Sequence, residues 1–481
     1  MNSIPKRKNP IIIAAAGGLL SITIGATNAY AVSETTADTT EADINAKAEQ
    51  YEPEEAKGMV KALTKYDVNE TKFLKDNGIV IGLWSNAGVT YNAAAPSNNF
   101  NGPVTFGDRS GEFQLNQLNL FIQRAVATEG DKWDFGCRFD AMYGTDSIFT
   151  QAYGVPSFDV NSGLPKNRSH WDLNILGHDG NRFYDIALPQ AYLESYVPVG
   201  NGLNVKAGHF YTPIGYETVP APDNFFYTHA YTMQYGEPFT HTGIMSNYAI
   251  DKNWAVMGGA VTGSATGGWD GGWDQQLGNW GGIGGTTWTS DDKDTSANIS
   301  GTYGGTSEQN NSDWYLYSIV LKHNLTDKTH LMLQHDHGFA NNVLINGVSQ
   351  DAQWYGINTH TYYDIRDDLS IGMRGEWFRD QNGFRVCSPG RVSAATYNSN
   401  INGVATAASY AANFLSTCQP ASYYAFTLGM NYKPAKWLNI RPNVRYDWVD
   451  GKIAGTDQSY RPFGNNKVDQ FLFSTDFTIN F

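Results

Sequence analysis

From Ile79 to Phe481 apolar and polar residues alternate in short runs, and the connections between runs are by turns short and long. In Lys132 to Tyr143, for example, Trp133, Phe135, Cys137, Phe139, Ala141 and Tyr143 alternate with Lys132, Asp134, Gly136, Arg138 and Asp140. Successive side chains of a strand point to opposite faces, so such a run has one greasy and one wet face. Fourteen such runs begin near Ile79, Gln114, Lys132, Ile186, Gly202, Phe239, Trp254, Asp313, Thr329, Gln353, Leu369, Ser422, Trp437 and Asp469. In the first, Trp84 stands on the face opposite Ile79, Ile81 and Leu83.

Six connections are short, Pro198 to Asn201 and Asp251 to Asn253 among them. Seven are long: Asn92 to Phe113, Gly144 to Asp185, Tyr211 to Pro238, Gly263 to Ser312, Gly338 to Ala352, Asp380 to Ala421 and Val449 to Val468. Loops beyond about 12–15 residues are uncommon in compact soluble domains. Long loops all at one end are what an up-and-down transmembrane β-barrel requires, with both termini at the short-turn, periplasmic end. Closure also removes the edges that an open sheet would leave unpaired. The expected fold is therefore all-β, an antiparallel barrel of about fourteen strands, or sixteen if a long connection hides a hairpin.

Composition agrees. Charged residues make up 17% of the chain, where roughly 25% is usual, and Gly (50 residues) and aromatics (14%) are abundant. A mean hydropathy of -0.41 excludes a bundle of membrane helices, each of which needs about 20 consecutive apolar residues. The net charge of -14 argues against nucleic acid as a partner.

The last run ends the chain on an aromatic. Phe471, Phe473, Phe477, Ile479 and Phe481 share the face expected to meet lipid, and Gln470, Ser474, Asp476, Thr478 and Asn480 share the wet one. On this reading Asp476→Ser costs little. A terminal aromatic on such a strand is similar to the signal read by the outer-membrane assembly machinery, which the resemblance assigns to Phe481.

Ahead of the barrel, Lys6, Arg7 and Lys8 precede a mostly apolar core from Ile11 to Ile24 and the small residues of Ala29-Tyr30-Ala31. This is the pattern of a cleaved signal peptide over 1–31. Residues 32–78 read as an acidic periplasmic tail or linker, with a short helix expected over Glu54 to Tyr66 after Pro53.

Residues assigned to the wet faces are Asp134, Arg138, Asp140, Glu194, Lys206, Arg374, Glu376, Arg441, Arg445, Asp447 and Asp476. Six acids against five bases predict a hydrated, pore-lining wall with weak ion preference. The connection Tyr211 to Pro238 is the candidate constriction loop, with Glu217, Asp223 and Asn224 placed to line it. Cys387 and Cys418 lie in one Gly/Ser/Ala/Asn-rich stretch and are read as a disulfide, which an exported chain permits. No metal site is expected. Alternation puts His335 and His337 on one face and Asp336 on the other, which fits rim histidines better than a metal cluster. The Gly/Trp-rich stretch around Trp269 reads as a surface loop.

The stretch from Gln190 to Gly243 resembles the β-barrel porin-2 family of Gram-negative outer membranes. The resemblance rests on Gln190-Ala191-Tyr192-Leu193, Leu203 to Phe210, Thr212-Pro213-Ile214-Gly215-Tyr216-Glu217, Asn224-Phe225-Phe226 and Pro238 to Gly243. It implies an outer-membrane porin without cofactor or catalytic residues, passing small hydrophilic solutes or ions by diffusion. Lipids, solutes and the assembly machinery are the expected partners, and homo-oligomers are compatible with it. Two rivals need other features. A barrel plugged by its N-terminal segment and carrying apolar solutes needs an apolar patch in the lumen. An outer-membrane enzyme or adhesin needs a catalytic constellation or binding loop at the rim.

Overall fold

The computed structural model describes residues 58–97, 99–150, 184–262, 280–305, 313–345, 348–386 and 419–481. The strands are β1 (Ile79–Asn92), β2 (Phe113–Arg124), β3 (Asp134–Gly144), β4 (Asp185–Val197), β5 (Leu203–Tyr211), β6 (Thr240–Ala249), β7 (Trp254–Thr262) and β8 (Trp280–Thr289). They continue with β9 (Thr295–Gly305), β10 (Asp313–Thr326), β11 (Thr329–Ile345), β12 (Val348–Arg366), β13 (Leu369–Asp380), β14 (Ala421–Ala435), β15 (Leu438–Gly451) and β16 (Asp469–Asn480). Each pairs antiparallel with its neighbours in sequence, and β1 pairs with β16 to close the barrel. Closure leaves no exposed edge, which hydrocarbon would not tolerate.

The count is sixteen strands rather than fourteen, because the connection Gly263 to Ser312 contains the hairpin β8–β9. Period-two reading misses it for a physical reason. In Trp280-Gly281-Gly282-Ile283-Gly284-Gly285 glycine occupies both faces, so no polarity contrast is written into the strand. Gly338 to Ala352 is not a loop either. There β11 and β12 continue past the expected ends as a hairpin arm, paired Val343 to Gln350 and Ile345 to Val348 beyond a bulge. Strand parity is unaffected, and β1 begins at the end of the barrel where β16 stops.

Facing follows the alternation. Phe135 and Leu193 are 63% and 69% exposed on the outer surface, and Phe473 is 50% exposed, while Leu472, Ser474 and Asp476 beside it are buried inside. Cys137 faces outward as a free thiol. His335 and His337 also face outward, among Tyr317, Tyr355 and Phe339, with Asp336 on the inner side. Trp84 points inward, its indole N–H donating to Gln117 Oε1 at 3.1 Å.

The expected signal peptide, Cys387, Cys418 and the Trp269 stretch lie outside the described residues. The end of the tail is described: α1 (Met59–Thr64) and α2 (Lys72–Asn77) sit at the short-turn end of the β1–β16 seam. There β16 stops pairing at Asn480, opposite Trp84, and Phe481 N donates to Leu83 O at 2.9 Å. The next free position on β1 is satisfied by a side chain. Asn69 donates to Ile81 O at 3.0 Å and accepts from Ile81 N at 2.8 Å, standing in for the missing strand.

Candidate functional site: the lumen and its inward-folded loop

The connection between β5 and β6 turns into the barrel. Pro213, Pro220 and Pro222 deny it strand hydrogen bonds, and Asn224 ties it locally. Its side chain accepts from Thr218 N at 2.9 Å and donates to Thr218 O at 2.7 Å and Pro220 O at 2.9 Å. Gly215 has φ +91°, and a side chain there would collide with the Glu237 carboxylate. The loop thus passes close to its own far end.

An irregular segment buried in a barrel must find partners for its backbone. Here they come from the wall. Arg441 Nη1 donates to Ala221 O at 2.7 Å and Asn224 O at 2.6 Å. Arg374 Nη1 donates to Thr228 O at 2.7 Å and to Glu217 Oε1 at 2.6 Å. Arg445 Nη1 donates to His229 O at 2.9 Å. Tyr231 donates from its N–H to Glu376 at 2.7 Å and from its hydroxyl to Asp447 at 2.9 Å. The π-helical turn Thr232–Gly236 follows, and Trp354 Nε1 donates to Gly236 O at 3.2 Å. Gln334 donates to Glu237 and to both oxygens of Asp336. The Asn92 to Phe113 connection folds inward as well, stacking Phe106 on Phe149 at 4.3 Å and joining Thr105 to Gln234.

The wet-face residues of the sequence reading therefore divide into two groups. Arg374, Glu376, Arg441, Arg445, Asp447 and Asp476 are on the inner face, but they are buried beneath the loop rather than solvated. They are also paired, Arg441 to Asp476, Arg445 to Glu376 at 2.9 Å and to Asp447 at 2.8 Å. These contacts argue against the expectation that Asp476→Ser costs little, since Asp476 holds Arg441 and accepts from Asn86 at 2.7 Å. Asp134 staples the β2–β3 turn, bound by Arg124 at 2.8 Å and Ala127 N at 2.8 Å. Arg138 pairs with Asp140 at 2.7 Å. Glu194 and Lys206 stand opposite each other across β4 and β5, yet Lys206 Nζ has no hydrogen-bond partner among the described residues.

Of the loop carboxylates, Glu217 meets Arg374 and lies 3.4 Å from His229 Nδ1. Burial alone would raise its pKa, but Arg374 and His229 outweigh that and hold it well below the usual range. Asp223 has weaker help. Burial pushes it up to about 7 against the pull of Arg138 and Arg441, and its Oδ1 is without a hydrogen-bond partner among the described residues. Burial and the Asp336 carboxylate hold Glu237 well above its ordinary value. Neither Glu237 nor Tyr231 was singled out by sequence; the loop's density of Tyr, Asn and acid in an irregular segment was the available signal.

The opposite wall is apolar. Tyr192, Phe210, Met245, Met257, Val261, Ile283 and Leu316 form one buried cluster on the inner faces of β4 to β10, with Ile214 of the loop packed among them. Alternation had assigned that face to polar residues in general, and methionine or isoleucine on both faces of a strand carries no facing signal.

No curated protein sequence matches the chain. Solved structures similar to it include OprB of Pseudomonas putida, at 14% identity and TM-score 0.50, covering 85% of this chain and 96% of that one. The outer membrane channel DcaP of Acinetobacter baumannii follows at 10% identity and TM-score 0.48, covering 84% and 97%. At such identities the likeness concerns the fold. The sequence evidence is separate: residues 78–481 match the family described as "Putative beta-barrel porin-2, OmpL-like", and the chain belongs to that family of outer-membrane porins.

Proposed function

We propose that solutes cross this porin by diffusion along the β2–β6 side of the lumen, between the wall and the inward-folded loop. The observation that carries this reading is that the loop spends its hydrogen bonds on the β13–β15 wall and leaves polar side chains on the β2–β6 side without any. Among the described residues, Gln190 Oε1, Tyr192 Oη, both polar atoms of the Asn204 side chain, Lys206 Nζ, Tyr211 Oη and Asp223 Oδ1 are buried there without hydrogen bonds, as Asn358 Oδ1, His360 Nε2, Asn443 Oδ1 and Arg445 Nη2 are on the far wall. Groups of this kind cost free energy unless water or solute satisfies them. On the other side the loop and the wall carboxylates between them take most donors of the arginines, which suits an anchor better than a passage. Glu217, Asp223 and Asn224 then act differently: Glu217 and Asn224 fix the loop, and Asp223 faces the path. The exposed Phe481 is carried in this reading as the assembly signal, and Cys387–Cys418 as a loop disulfide. The reading contains no enzymatic step.

Single-channel recording of the purified protein in planar bilayers tests it. Stepwise conductance is the expected result. A folded barrel that never conducts would overturn the diffusion reading and favour an enzyme or adhesin.

A further inference from the structure

We propose that the inner face of β4 to β7 holds a subsite for small organic anions that carry an apolar or aromatic body. This deepens the diffusion reading above, because the subsite lies on the path assigned there. Two independent observations meet at one place. The first is Lys206, fully buried on β5 with an ammonium that no described residue accepts from. It rests 4.3 Å from the centroid of the Tyr192 ring. Ring faces attract a cation but do not neutralise it. The buried arginines that anchor the loop on the far wall each hold a carboxylate: Arg374 with Glu217, Arg441 with Asp476, Arg445 with Asp447. The Glu194 carboxylate, the register partner of Lys206 on β4, attracts its ammonium but takes no hydrogen bond from it among the described residues, so the ammonium's donors remain for an anion.

The second observation is the surface around it. Met245 is the register partner of Lys206 on β6, and Met245, Met257 and Phe210 belong to the apolar cluster of that wall. Methionine side chains adapt to irregular apolar shapes and make favourable contacts with aromatic rings. Beside the ammonium, the Tyr192 hydroxyl and the Asn204 amide are also buried without hydrogen-bond partners among the described residues, so donors for a second carboxylate oxygen are at hand. A carboxylate on Lys206 with its ring or chain against Met245 and Met257 satisfies both halves of the site. An inorganic anion satisfies only the first, and a neutral hydrocarbon only the second.

Benzoate, benzamide and acetate separate these cases, because benzamide lacks the charge and acetate lacks the body. Each is titrated against the open-channel current of the full-length protein in planar bilayers. In parallel, saturable binding of radiolabelled benzoate to the detergent-solubilised barrel is measured by equilibrium dialysis, which needs no conduction. The expected result is half-block by benzoate at a concentration at least about tenfold below that of either analogue. Lys206→Gln should erase the advantage over benzamide, and Lys206→Arg should restore it; folding of both is checked by heat-modifiable gel mobility. Benzoate binding by a barrel that does not conduct would support the subsite while the diffusion reading fails. Benzamide or acetate acting as well as benzoate would overturn the proposal, as would a folded Lys206→Gln protein with unchanged benzoate affinity.

Discussion

From β12 through β16 to β2 the inner wall carries Arg374, Glu376, Arg441, Arg445, Asp447 and Asp476, and most of these side chains spend their hydrogen bonds on one loop or on each other. From β5 to β10 it carries Phe210, Met245, Met257, Ile283 and Leu316, against which the loop places little beyond Ile214. Both walls come from the same alternating strands, so strand pattern is not what distinguishes them. The difference lies in where the loop finds donors for its backbone carbonyls. A charged wall can hold an irregular segment inside a barrel; an apolar wall cannot, because it offers nothing to accept or donate. Charge on the inner face of β13 to β16 is therefore first a device for fixing the loop, and in the reading proposed above the passage is left to the other side.

The largest effects should come from breaking the charged wall. Arg374→Met strands the buried Glu217 carboxylate and the Thr228 carbonyl, and should cost about 3–5 kcal/mol of barrel stability, read from denaturant unfolding in lipid. Freed from its anchor, the loop should also give larger conductance steps. Asp476→Ser should cost a similar amount, since it strands Arg441. Phe473→Arg, on the lipid face near the middle of β16, should cost roughly 2–4 kcal/mol. If Asp476→Ser proves silent, the charged wall is not an anchor. On the apolar wall, Ile283→Val should cost only about 0.5–1.5 kcal/mol, with no change in the loop. The smallest effect is on selectivity. Asp223 is neutral below about 7 and a carboxylate above it. Raising pH from 5 to 9 therefore adds one negative charge beside Arg138, Arg441 and Tyr211, and the reversal potential should move toward cation preference. Asp223→Asn should remove the part of that dependence centred near 7.

Much of this architecture is legible in the sequence, and the parts that are not have identifiable causes. The faces of β16, the inward turn of Trp84 and the inner placement of the charged residues follow from period two alone. The β8–β9 hairpin does not, because glycine on both faces erases the contrast that alternation needs. That Arg374 and Arg441 anchor a loop rather than line water is also hidden. Alternation reports which face a side chain takes, and its partner lies more than a hundred residues away along the chain, as Glu217 does from Arg374. The apolar wall is missed because Met245 or Ile283 looks the same in sequence whether it meets lipid or lumen.

The central claim is that the path lies along β2 to β6 and not along the anchored wall. Single cysteines in a background lacking Cys137, Cys387 and Cys418 test it directly. Asn204→Cys places a thiol on the inner face of β5, and Thr427→Cys places one on β14 beside Arg374. Each is treated in the bilayer with a cationic methanethiosulfonate while current is recorded. The account predicts that modification steps the current down at position 204 and leaves it unchanged at position 427. A current that responds at 427 and not at 204 would contradict it.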